Sequence, residues 1–210
     1  SLQDDGEPWI EGWRSVIFKD ARNTASWEGA LQTGRTPGGE HLLAGISDFI
    51  LTRRIAPRGG ESASELGLRW TFATGDDRDE THQFVPLLNH LDFGRVFNPE
   101  LSNIHVLAAW WIWPWTDSWS LDLRVFHYVQ ARVVEQRMSA GRITGYGSQG
   151  MTNGDDRELG TEADARLQWT CREDLELELL AGRFLRGSAY GGTSQNDNAA
   201  EIRLQANWSF

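Results

Sequence analysis

Hydrophobic and polar residues alternate along much of this chain with a period of two, and little of it carries a helical repeat. The clearest case closes the sequence. Residues 200–210 place Ile202, Leu204, Ala206, Trp208 and Phe210 on one side and Glu201, Arg203, Gln205, Asn207 and Ser209 on the other. Successive side chains of a strand point to opposite faces, so this is a ribbon with one apolar and one hydrogen-bonding face. A soluble sandwich edge alternates in the same way. Length, terminal position and the closing pair Trp208 and Phe210 favour a membrane strand, because a tilted strand of about 9–11 residues crosses a bilayer core and aromatics gather at its borders.

The same alternation predicts eight further strands. Residues 9–18, 27–35 and 41–53 form the first three, with turn signals at Thr36-Pro37-Gly38-Gly39 and Ala56-Pro57-Arg58-Gly59-Gly60. Residues 64–74 set Leu66, Leu68, Trp70 and Phe72 against Glu65, Gly67, Arg69 and Thr71. In residues 103–113 we place Ile104, Val106, Ala108, Trp110 and Ile112 outward, although the opposite face (Leu107, Ala109, Trp111) is also apolar. Residues 119–130 set Leu121, Leu123 and Val125 against Asp122, Arg124 and Tyr128. Residues 158–170 set Thr161, Ala163, Ala165, Leu167 and Trp169 against Glu162, Asp164, Arg166 and Gln168. After a turn at 171–174, Leu175, Leu177 and Leu179 alternate with Glu176 and Glu178, and Arg183 falls on the outward face, which predicts a bulge or the end of a span there.

Short turns then lie at one end of the strands and long loops (75–102, 132–157 and 187–198) at the other, the asymmetry of an outer-membrane barrel. With the short turns on the periplasmic side, Trp113, Trp115, Trp119, Trp169, Trp208 and Phe210 collect near that rim, and Phe72 near the outer one. The fold class expected is all-β: a transmembrane antiparallel up-and-down β-barrel, with about nine strands here. No second domain or repeat interrupts residues 1–210.

Composition changes this picture little. The 210 residues carry a net charge of −10, and mean hydropathy is negative. A barrel with a polar lumen gives such averages as readily as a soluble protein does. The acidic total argues against nucleic acid as a partner. Lys19 is the sole lysine, so arginine supplies nearly all the positive charge, and there are eleven Trp. Cys171, the one cysteine, reads as a half-buried residue at a turn rather than a nucleophile. The chain begins at Ser1 without a signal peptide, so we expect a mature chain or a piece lacking its N-terminal part.

Several short elements also resemble the alginate-export family of outer-membrane porins. They are Thr74-Gly75-Asp76-Asp77 at a strand end, Phe84-Val85-Pro86-Leu87 in the following loop, and the pair Phe93-Gly94. Asn103-Ile104-His105 and Gly160-Thr161-Glu162-Ala163-Asp164 then open strands, and the terminal aromatic matches as well. The resemblance covers residues 64–210. It implies a single barrel of about eighteen strands, of which this would be the C-terminal half. It implies an integral outer-membrane porin, without a cofactor, for an anionic polysaccharide or smaller polar solutes. Expected partners are outer-membrane lipid and lipopolysaccharide, together with the barrel-assembly machinery acting through the strand ending in Phe210. One departure matters: the family lumen is arginine- and lysine-rich, whereas here Arg69, Arg124, Arg166 and Arg203 stand among Glu65, Asp122, Glu162, Asp164, Glu176, Glu178 and Glu201.

The lumen residues Arg69, Arg124, Arg166, Arg203, Glu162 and Asp164 have two readings. As a cross-strand network, with Arg166 facing Glu178, they rigidify the wall. As a filter, guanidinium groups engage solute carboxylates. The acidic elements Gly75 to Glu80 and Gly154 to Glu158 carry enough oxygen for Ca²⁺, but solvated loop charge is the commoner meaning, and no metal is assigned. His105 and His127 are placed facing inward. With Ser102, Ser118 and Ser120 they make an outer-membrane hydrolase an alternative, as does a small closed barrel with a binding or structural role. No nucleophile motif surrounds these serines, and no enzyme activity is expected. Gly145 to Gly150 lacks the lysine of a phosphate loop and reads as an extracellular loop.

Overall fold

The computed structural model describes residues 9–35, 41–56, 62–75, 93–99, 101–133, 135–138, 141–143, 151–153, 156–172, 174–190 and 198–209. Nine strands form one antiparallel sheet: β1 (Trp9–Lys19), β2 (Asn23–Arg35), β3 (His41–Ile55), β4 (Ser64–Ala73), β6 (Ile104–Pro114), β7 (Trp119–Gln130), β11 (Glu158–Arg172), β12 (Leu175–Arg186) and β13 (Ala199–Trp208). Each pairs with the next in that order, so the sheet is an open up-and-down meander with β1 and β13 at its edges. Four short strands belong to the long connections: β5 (Phe97–Pro99) pairs with β9 (Gly141–Ile143), and β8 (Glu135–Met138) with β10 (Met151–Asn153). Among the described residues no helix is long and apolar enough to cross a membrane, which says nothing of crossing by strands.

Local chemistry sets the short turns. Asp20 accepts the backbone N–H groups of Arg22 and Asn23 at 2.7 and 2.6 Å, closing β1 onto β2. Those hydrogen bonds, led by one from the Asn23 side chain, hold its carboxyl below the usual carboxylate range. Thr116 Oγ1 accepts from Ser118 and Trp119 between β6 and β7. At the other end Asn103 adopts φ +52°, a conformation asparagine tolerates. Its side chain exchanges hydrogen bonds with the Arg132 backbone at 2.9 and 2.8 Å, tying the bases of two long connections together.

The alternation divides the sheet into two unlike faces. The outer face carries Leu66, Leu68 and Trp70 on β4, Leu123 and Val125 on β7, Leu179 on β12, and Ile202, Leu204 and Trp208 on β13, all exposed. Trp119 and Trp169 stack there at 5.1 Å, and Trp111, Trp113 and Trp115 form a ladder at 5.5 and 5.7 Å. The inner face carries the charged residues, and toward the long-connection end it is covered by residues 93–97. Phe93, Val96 and Phe97 are fully buried there with Ile104, Val106, Tyr128 and Phe184, and this is where the apolar core sits.

Several expectations are corrected. On β6 the faces are reversed: Val106 stands opposite Thr71 and Ala108 opposite Arg69, so Ile104, Val106, Ala108, Trp110 and Ile112 point inward. Both faces of β6 are apolar, and its alternation carried no direction. His105 and His127 accordingly lie on the outer face. His105 stacks on Phe72 at 4.7 Å and accepts from Trp70 Nε1 at 3.3 Å, and His127 lies 3.1 Å from Thr161 Oγ1. Strand β2 begins at Asn23 rather than residue 27, because Asn23 to Ser26 are small or polar and show no apolar rhythm. Of the two alternatives at Arg183, a bulge or the end of a span, the bulge is excluded, because Arg183 pairs in register between Ala163 and Ala200. Two methyl side chains leave it room on the exposed face. Asp76, Asp77, Phe84 and Pro86, the turns at 36–40 and 57–60, the loop 145–150 and Phe210 lie outside the described residues.

Candidate functional site

The inner face is built from arginine–carboxylate pairs on successive strands. Arg14 of β1 meets Glu28 of β2 at 2.8 Å. Arg69 of β4 grips Asp48 of β3 with two hydrogen bonds, 2.7 and 2.8 Å, while Thr71 donates to the same carboxylate at 2.6 Å. A guanidinium matches both oxygens of a carboxylate, which makes this a strong, directional pair. The Phe93 ring lies 4.6 Å from the Arg69 guanidinium carbon and closes the pair from the far side. Arg69, expected to line the solute path, is therefore enclosed.

Arg124, Arg166 and Arg203 are placed differently. Arg124 bonds Asp122, two residues back on its own strand, at 2.7 Å. Arg203 bonds Glu201 in the same arrangement. Arg166 donates to Gln168 at 2.8 Å and lies 3.8 Å from Glu178 across the hairpin, the cross-strand partner expected for it. In each pair the cation is the more open member. Side-chain exposure is 39% for Arg124 against 7% for Asp122, 32% for Arg166 against 11% for Glu178, and 55% for Arg203 against 18% for Glu201. The carboxylates lie close to the wall and the guanidinium groups stand above them.

Glu162 plays a different part from the others. It is fully buried, and its carboxylate accepts three consecutive backbone N–H groups: Arg95 and Val96 at 2.6 Å each and Phe97 at 2.9 Å. Asp164, one inward position along, also accepts from the Arg95 N–H, at 3.1 Å. Tyr128 donates its hydroxyl to the Phe93 carbonyl at 2.8 Å. The Phe97 ring stacks on Phe184 at 4.6 Å and meets Tyr128 edge-on at 4.8 Å.

Two glycines make room for this docking. Gly94 has φ +87°, and a side-chain carbon there would come within 2.5 Å of both Glu162 Oε2 and the Tyr128 hydroxyl. A side-chain carbon at Gly182 would come 2.6 Å from Asp164 Oδ1 and 2.8 Å from Val96. Buried carboxylate, aromatic pocket and glycine clearance together fix residues 93–97 against the inner face, and Arg95 is the exposed member of that segment. Neither Arg95 nor the docking role of Glu162 was anticipated from sequence. The available signal was the apolar spacing of Phe93, Val96 and Phe97 around Gly94 and Arg95 within the long connection.

Toward the mouth of the long connections, Asp156 accepts from Ser188 Oγ at 2.5 Å and from the Arg157 N–H at 2.6 Å. Those bonds hold its carboxyl below the usual range. Burial pushes the Tyr190 phenol up to about 12, opposed by the Arg186 guanidinium over its ring. Among the described residues no group of three or more His, Cys, Asp or Glu side chains could hold a metal ion. Gly75 is described, but most of the first acidic loop element lies outside those residues. Ser120 points inward and donates to Gln168 at 3.2 Å, on the opposite face from His105 and His127, so the geometry does not join them.

No protein-family model matches the chain, and no curated protein matches it at a significant level.

Proposed function

We propose that this chain is the wall of an integral outer-membrane β-barrel pore that passes an anionic polysaccharide of the alginate type, or smaller polar anions. The observation that carries the reading is the outer face, where large apolar side chains from β1 to β13 stand exposed, Leu68 at 56%, Val125 at 49% and Leu204 at 76% among them. An apolar surface of that extent marks an interaction with lipid or another protein. Its opposition to a charged inner face, residue by residue along β4, β7, β11, β12 and β13, is the pattern of a wall between lipid and water. Stacked Trp side chains near the short turns fit an interfacial girdle.

In lipid the backbone groups along the outer edges of β1 and β13 must be paired, because each group left unsatisfied there costs several kcal/mol, to order of magnitude. Further strands completing a larger barrel of about eighteen would meet that demand and leave a channel. A small closed barrel is the second reading. The packing of residues 93–97 against the inner face favours it, since about eight strands leave an interior filled by side chains. The outer face of β13, with Ile202, Leu204 and Trp208 exposed, is the surface offered to lipid, lipopolysaccharide and the assembly machinery.

The pore performs no bond chemistry. An anion exchanges part of its hydration for guanidinium hydrogen bonds at Arg124, Arg166 and Arg203, and exposure to water keeps each contact weak enough for release. The test is the complete protein in a planar bilayer under a salt gradient. Ion conduction with anion preference is expected, reduced when Arg124 and Arg166 are both replaced by Gln. A detergent-free soluble monomer would refute the membrane reading. A sealed, non-conducting barrel would favour the closed one.

A further inference from the structure

We infer that residues 93–97 form the constriction of the proposed pore, that Arg95 sets its anion selectivity, and that Glu162 is the positioning residue holding Arg95 in place. The inference rests on the pore reading and deepens it by assigning the selectivity to one segment. The segment lies on the inner face, where solute would pass, and is anchored rather than merely adjacent. Glu162 accepts the N–H groups of Arg95, Val96 and Phe97, and Tyr128 donates to the Phe93 carbonyl, so every residue of the segment except Gly94 is held to the wall by a backbone group. The apolar members of the segment face the wall and are buried, while Arg95 is exposed and so turned to the open side.

Its neighbour Asp164 is almost wholly buried and spends one oxygen on the Arg95 N–H. The arrangement therefore repeats, on an inward-standing segment, the order seen along the wall: cation outward, carboxylates behind. A charge at the narrowest point acts on every passing ion, whereas charges on the wall of a water-filled pore are screened beyond about 8–10 Å at physiological salt. Arg95 should therefore outweigh Arg124 or Arg166. Rigid anchorage matters for the same reason, since a segment free to swing would average its charge over the lumen.

The experiment measures reversal potential and single-channel conductance of the complete protein in planar bilayers. Arg95→Gln should remove more of the anion preference than Arg124→Gln does, and Arg95→Glu should move the reversal potential to the cation side. In a Glu162→Ala background the undocked segment should give higher conductance, and Arg95→Glu should then shift the reversal potential much less. Tyr128→Phe, which loses the bond to the Phe93 carbonyl and the longer one to Glu162 Oε2 but leaves the three backbone N–H groups on Glu162, serves as a second, milder test of anchorage and should act in the same direction. If the unaltered protein conducts selectively and both Arg95 variants leave its reversal potential unchanged, the inference is overturned while the pore reading stands. If Arg95→Glu acts with full strength in the Glu162→Ala background, the positioning role fails. If the unaltered protein does not conduct, the pore reading fails and this inference with it.

Discussion

Replacing Glu162 with Ala should release residues 93–99 while leaving the sheet intact. The strand itself is secure at that point, because the Glu162 backbone pairs with Phe126 on one side and Phe184 on the other. What disappears is the acceptor of three backbone N–H groups in a fully buried site. A buried donor left without a partner costs about 1–3 kcal/mol, so three would cost about 3–9 if nothing adjusted. Asp164 already shares the Arg95 N–H, and water can enter the vacated volume, so a net loss of about 3 kcal/mol is the reasonable expectation. At 1.4 kcal/mol per factor of ten, that is a rise of roughly 150-fold in local opening. Hydrogen exchange read by mass spectrometry on the detergent-folded protein should show it in peptides spanning residues 93–99, with β2, which shares none of the contacts named for that segment, unchanged as an internal control. Glu162→Gln should fall between, since its amide group offers one oxygen where two now accept. Unchanged protection of Arg95, Val96 and Phe97 in the Ala variant would refute the docking role of the carboxylate.

Two further outcomes follow from the same geometry. Gly94→Ala forces a side chain into φ +87° and against both Glu162 and Tyr128, so it should loosen the same peptides by about 1–3 kcal/mol; protection equal to the unaltered protein would show that the segment does not take this path. Tyr190, buried beyond the end of β12, should resist ionisation up to about 12 in an ultraviolet alkaline titration, a component that Tyr190→Phe removes. Its folded value is raised, so its contribution to stability is complete below the ordinary tyrosine value and fades as pH rises through about 12; ionisation near the ordinary value would mean the ring is not buried.

The strands were readable from sequence wherever one face met water or charge and the other did not. On β4, β7, β11, β12 and β13 the alternation of residues such as Leu66 and Arg69, or Leu204 and Arg203, identifies each strand and its two faces together. Strand β6 was recognised but reversed, for a physical reason. Its inner positions Ile104 and Val106 face the docked segment rather than water, so both sides of the strand are apolar and only pairing with β4 decides between them. The start of β2 was lost because Asn23 to Ser26 have no apolar rhythm, and β5, β8, β9 and β10 are too short to carry any. Strand parity places Glu162 and Asp164 on the same face of the sheet as Arg124 and Arg166. Parity cannot say that a carboxylate is spent on backbone N–H groups, because those partners leave no side-chain signature in a sequence.

The sign of the inner surface was beyond sequence reading for a related reason. Counted by residue, carboxylates outnumber arginines along the inner face, and a net charge of −10 argues against a path for anions. A passing ion does not meet residues in equal measure. It interacts with each charge according to how near that charge stands and how much water lies between them. Asp122 and Glu178 lie low against the strands, while their partners Arg124 and Arg166 are several-fold more exposed. Glu162 is enclosed by the segment that carries Arg95, and Asp48 is closed over by Arg69, Thr71 and Phe93. The Arg69 pair is enclosed, whereas the pairs of Arg124, Arg166 and Arg203 are close to neutral at a distance but present their positive ends at contact range. In the proposed pore that orientation reconciles an acidic chain with an anion path: the buried carboxylates hold the guanidinium groups in place, and the exposed guanidinium groups are what the solute meets.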